Sequence, residues 1–166
     1  MQADAAFWMR AAQGAIRREC GWHVAPVITE TLVIDGAGGR ELLVPSLRVI
    51  ELVSVLNDGD DVTDKVRFSR RAGVLELDAG WSCKVASIEV TMRHGFPAND
   101  VPDVAALIVT LTKRASQGAA AGITVQQNIG PAGQRIATGR DGGALGVPLL
   151  QSERDTLSPY RLTWGP

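Results

Sequence analysis

Residues 16–34 read IRRECGWHVAPVITETLVI, and the hydrophobic period changes inside this stretch. Up to Cys20 the apolar positions recur about every 3.6 residues. Trp8, Ala12, Ala15, Ile16 and Cys20 fall on one stripe. From Val27 to Ile34, β-branched residues alternate with Thr29, Glu30 and Thr31. Between the two patterns stands Gly21, suited to the left-handed residue that ends a helix. The stretch therefore predicts a helix over 3–19, with Asp4 as its N-cap, running out into a β region.

Downstream the period of two persists to about residue 93. Leu42-Leu43-Val44, Val49–Leu56, Val66–Ser69, Val74–Leu77 and Val85–Met92 are strand-like. Turn clusters at 35–39, 57–61 and 79–80 separate them. Six short strands with close turns predict a meandering antiparallel arrangement. A second helix follows. Asn99-Asp100 offers caps, Pro102 suits the first turn, and Val104, Leu107, Ile108, Leu111 and Ala115 give the helical spacing. Gly118 is expected to stop it.

Residues 118–146 hold 8 of the 18 glycines and only three charges, Arg135, Arg140 and Asp141. This composition reads as an extended arm. A short helix at 149–157 and an apolar end, with Tyr160, Leu162 and Trp164, complete the chain. The expected class is α+β: two packed helices, an inserted block of short antiparallel strands, and an extended C-terminal arm ending in a short helix. Residues 1–117 form the body and 118–166 the arm. On this reading, deleting 147–166 leaves the body folded.

Composition excludes several classes. The chain has 166 residues, 45% hydrophobic and 21% charged, with net charge -1. Two cysteines make no disulfide framework. Apolar content rules out disorder throughout. The near-neutral charge argues against a general nucleic-acid binder. The longest strongly apolar run, Val104 to Leu111, is far shorter than the ~20 residues of a membrane span, so no membrane is expected, and the start of the sequence has no signal-peptide pattern. Charge divides unevenly: residues 1–103 carry 11 basic and 15 acidic groups, and 104–166 carry 6 and 3.

Chemistry-bearing motifs are sparse. Cys20, His23, Cys83 and His94 could supply a Cys2His2 zinc set, but their spacings are unsuited, and Cys20 already fits the apolar stripe. No G-x-S-x-G elbow or C-x-x-C occurs. Asp35–Gly39 lacks the Lys of a phosphate loop, and Asp58–Asp61 lacks the calcium-loop frame. No catalytic residue, metal or cofactor is expected. Trp8, Ile16, Cys20, Trp22, Leu107, Ile108 and Leu111 are expected in the core. The hairpin-rich middle with Trp81 leaves one alternative, a small β-rich binding module for a carbohydrate or surface partner.

Several ordered segments resemble the head-tail connector (head-completion adaptor) family of tailed bacteriophages. Cys20-Gly21-Trp22 followed by Pro26 is similar to the exit of that family's first helix. Glu30–Gly36 and Leu42–Pro45 match the strands that follow it, and His94-Gly95-Phe96-Pro97 with Val101–Val104 its lead into the next helix. Pro148-Leu149-Leu150, Ser152-Glu153 and Leu157 to Tyr160-Arg161-Leu162 resemble its C-terminal signature. The Gly-rich 133–146 stretch departs from the pattern. The resemblance implies a structural virion protein without catalysis, assembled in host cytoplasm. It would form a homo-oligomeric ring of twelve on the portal protein and meet a head-closure or tail-completion protein. Double-stranded DNA would only pass through the channel. Leu149, Leu150, Leu157, Tyr160, Arg161, Leu162 and Trp164 are the expected portal-docking residues.

Overall fold

The computed structural model describes residues 4–120 and 147–163. Helix α1 spans Ala5–Cys20. Asp4 caps it, accepting the Phe7 backbone N–H at 2.8 Å. Gly21, at φ 80°, closes it, its N–H bonding the Arg17 carbonyl at 2.8 Å. A residue with a Cβ pays a steric cost in that conformation, which is why the sequence places glycine there.

Seven strands follow: β1 Ile28–Ile34, β2 Glu41–Leu43, β3 Val49–Asn57, β4 Asp60–Asp61, β5 Val66–Phe68, β6 Val74–Leu77 and β7 Ile88–His94. They form two antiparallel sheets, ordered β1-β7-β3-β4 and β2-β6-β5. The arrangement is nested, not the expected meander. β1 pairs with β7, Thr31 opposite Thr91. β7 takes a central place because Ile88, Val90, Met92 and His94 all turn inward and are fully buried. Such a strand needs neighbours on both edges, and local hairpins alone cannot supply them.

The sheets enclose a common core. Val55, Ile88, Val90 and Met92 come from one, and Leu42, Leu75 and Leu77 from the other. Trp81 is buried among them, and its indole N–H donates to the Arg40 carbonyl at 3.0 Å. β7 starts later than the period predicts, because Val85 lies in a turn and is exposed. That turn is held by the Asp35 carboxylate accepting the Ala86 N–H, and by the Gly36 N–H bonding the Lys84 carbonyl, both at 2.8 Å.

Helix α2 runs Pro102–Ala120, past Gly118. An interior glycine costs about 1 kcal/mol relative to alanine, and that alone does not end a helix whose next residues are Ala119 and Ala120. Helix α3 spans Gln151–Leu157, continuing into a 3-10 turn at Ser158–Tyr160. α1 and α2 pack through Ala12, Ala15, Ile16, Val104, Leu107, Ile108 and Leu111. This second core also takes in Val147 and Leu157, with Leu149, Tyr160 and Leu162 packed against it, so the described residues 147–163 lie on the body and do not form a free arm. Most of the Gly-rich stretch lies outside the described residues. Trp8 is half-buried, edge-on to Phe7 with ring centroids 5.0 Å apart, and stands outside the helical core.

Candidate functional site

The segments quoted above as distant motifs come together at one end of the helix pair. Gly21 leaves α1 in a left-handed turn and sends Trp22 beneath it. The Trp22 indole N–H donates to the Tyr160 carbonyl at 2.6 Å. The Leu162 N–H bonds the Cys20 carbonyl at 2.9 Å, and the Leu162 side chain covers Gly21. Phe96 lies between the two other rings. Its centroid is 5.9 Å from Trp22 and 6.0 Å from Tyr160, edge-on to each. Such edge-to-face pairs contribute roughly 0.5–1.5 kcal/mol each beyond the area they bury. The Phe96 N–H donates to the Val24 carbonyl at 2.7 Å, and the Arg48 guanidinium sits over the Phe96 ring.

Polar groups frame this aromatic centre. Glu19 near the end of α1 pairs with Arg161 and, more loosely, with Arg154. The Tyr160 hydroxyl donates to the Asp103 carboxylate in the first turn of α2, at 3.1 Å. At the other end of the C-terminal segment, Arg114 of α2 donates to the Pro148 carbonyl at 2.9 Å and to Glu153 at 2.8 Å. Glu153 also accepts the Leu150 N–H at 2.8 Å, satisfying a free donor at the start of α3. The segment therefore runs along α2 from Arg114 back to Asp103 while ending beside Cys20. It follows that α1 and α2 are antiparallel.

Beneath the aromatic centre lies a buried ionisable group. His94, at the end of β7, is wholly buried and its Nε2 lies 3.2 Å from Glu30 of β1. Arg17 of α1 pairs with the same carboxylate at 2.8 Å. His23 packs against His94, centroids 5.9 Å apart, and its Nε2 meets the Pro26 carbonyl. Burial pushes both imidazoles below their usual range, opposed at His23 by the Pro26 carbonyl and at His94 by Glu30. The group joins the helical layer to the sheet.

The zinc set is not assembled. His94 sits opposite Ile28 at one end of the β1–β7 pair, whereas Cys83 is exposed beside Gly38, beyond the Ile34–Ile88 end. Among the described residues no group of three His, Cys, Asp or Glu side chains is placed to hold a metal ion. An open cleft of about 290 Å³ lies between α1 and the C-terminal segment, lined by Ala15, Arg18, Glu19, Val147 and Arg154 among others. Glu19 there is already engaged by arginines, and no nucleophile or histidine lines it. Trp81, buried in the sandwich, offers no ring for a sugar to stack on.

The expected docking residues are placed unevenly. Leu157 is fully buried, and Leu149, Tyr160 and Leu162 pack on the helical core. Arg161 is tied to Glu19, and Leu150 alone of the leucines is exposed, at 55%. Trp164 lies outside the described residues. Of the expected core residues, Ile16, Cys20, Trp22, Leu107, Ile108 and Leu111 are buried. Sequence reasoning gave Phe96 only a general place in the core or an interface, and assigned no part in this site to Glu30, Asp103 or Arg114. A signal for Glu30 existed: the period of two puts it on one face with Ile28, Leu32 and Ile34, and a carboxylate on an apolar face needs a partner.

Protein-family profiles and curated proteins give no match to this chain. No described helix is long and apolar enough to cross a membrane.

Proposed function

We propose that the chain is a structural subunit of a head-tail connector of the tailed-bacteriophage type. In this reading copies assemble as a ring of twelve on a portal, extend the DNA channel, and present a platform to a head-closure or tail-completion protein. The observation that carries the reading is the meeting of three of the resembling motifs. Trp22 from the first, Phe96 from the second and Tyr160 from the third form one edge-to-face aromatic cluster. Residues spaced so far apart in sequence meet at one place, and this supports the reading.

Docking would fall to the side chains that remain available. These are Leu150 and, at the far tip of α1, Phe7 and Met9, each more than two-fifths exposed. Apolar side chains repeated around a ring give avidity without strong single contacts. Electron microscopy of the purified protein mixed with cognate portal rings tests the reading. Ordered density with the portal's symmetry is the expected result. Bare portals at saturating protein would refute it.

A further inference from the structure

We propose that β1 is a strand-addition edge, and that its occupant is β1 of a second copy of this chain, paired antiparallel about a two-fold axis through Thr31. β1 is the outer strand of its sheet. Among the described residues, no backbone group of 28–34 bonds anything beyond its pairing with β7. Residues on its core face, Ile28, Leu32 and Ile34, are only half-buried, whereas Ile88, Val90 and Met92 beside them on β7 are fully so. The margin of the core is open along this strand.

Natural sheets guard their edges with short strands, bulges, prolines or charges. The other edges here are guarded. β4 has two residues, both aspartate. The adjoining length of β3 carries two register shifts. β2 has three residues, with Pro45 two positions beyond its end. β5 also has three, with Arg67 held among Glu76 and Asp78. β1 has seven residues, an unbroken register, and neither proline nor lysine. Its one charge, Glu30, turns inward and brings its own partners, Arg17 and His94.

A chain with one unguarded edge can satisfy it with its own equivalent, and that contact is two-fold and closed. Thr31 is the middle of Ile28–Ile34, so centring there overlaps the strand in full. Ile28 then faces Ile34 of the second copy, Thr29 faces Val33, Glu30 faces Leu32, and Thr31 faces itself. No like charges stand opposite, and the exposed row is Thr and Val, both favoured in strands. The inference stands on the edge alone and not on the connector reading, because a ring requires a different, rotational contact.

Sedimentation of the full chain tests it. The wild type is expected at twice the 17.6 kDa chain mass. Thr31→Lys places two ammonium groups face to face and should halve that mass, whereas Val53→Lys, also at an exposed position but on β3, should leave it unchanged. In a Cys83→Ser background, Thr31→Cys should cross-link to a covalent dimer on mild oxidation, and Thr29→Cys should not. A monomeric wild type, a dimer indifferent to Thr31→Lys, or cross-linking of Thr29→Cys without Thr31→Cys would overturn the proposal.

Discussion

The indole N–H of Trp22 donates to the backbone carbonyl of Tyr160 at 2.6 Å, across a sequence separation of 138 residues. Trp22 lies almost wholly out of water and Tyr160 partly so. A buried carbonyl deprived of its donor keeps its full desolvation cost. The bond therefore ties the exit of α1 to the turn after α3, and the stability of each depends on the other.

Replacing Trp22 separates the contributions of ring and bond. Trp22→Phe keeps an aromatic against Phe96 but strands the Tyr160 carbonyl, and should cost about 1–3 kcal/mol. Trp22→Ala also empties the space and should cost about 3–5 kcal/mol. Urea denaturation followed by far-ultraviolet circular dichroism measures both.

Removing the C-terminal segment should unsettle the helices. Leu157 is fully buried between them, so Leu157→Ala should cost about 2–5 kcal/mol. Deleting residues 147–166 should expose Ala15, Ile16 and Trp22 and bring dye binding and early proteolysis. A truncated chain with an unchanged melting temperature would contradict the packing described above. This outcome is opposite to the one read from the sequence, where the segment figured as an independent arm.

Acid should weaken the fold through His23 and His94. Both imidazoles are held below their ordinary values by burial, so the unfolded chain binds protons more readily. Stability from this source is complete above the unfolded value of about 6.5 and is lost as pH falls below it. Denaturation midpoints at a series of pH values should decline from neutral into the acid range. His23→Gln should flatten that decline, whatever it does to the midpoint at neutral pH.

The two thiols should differ in reactivity. Burial pushes the Cys20 thiol up to about 11, and its side chain lies in the helical core. Cys83 is exposed. A thiolate is the reacting species, so a disulfide reagent should modify one cysteine in the native chain and both after denaturation. Equal rates for both would show that the end of α1 opens readily.

Much of the fold could be read locally. Asp4 and Gly21 mark α1, the glycine and aspartate clusters mark the turns, and Pro102 marks the start of α2. These signals act over a few residues. What escaped reading was set by distant partners. β1 lies against β7 because β7 is apolar enough to need two neighbours, and no short window shows that. Val85 has strand propensity but is held in a turn by Asp35 from another element. The ends of the site divide in the same way. Cys20 and Trp22 could be assigned to the interior from the stripe and its exit. Leu157, Tyr160 and Leu162 looked like surface anchors, since a run of apolar residues after a Gly-rich stretch does not reveal whether it returns to its own core.

The closure of α1 by residues 157–162 also imposes an order on biosynthesis. A ribosome making this chain completes β1 through β7 as one continuous stretch, and the sandwich core has all its strands by His94. The end of α1 at Cys20–Gly21, although made before the strands, stays uncovered until Leu162 has left the exit tunnel. The helix's apolar stripe is met first by α2, but the Trp22 indole waits longer, until the Tyr160 carbonyl arrives. The exit of α1, made before the sandwich, is thus sealed after it.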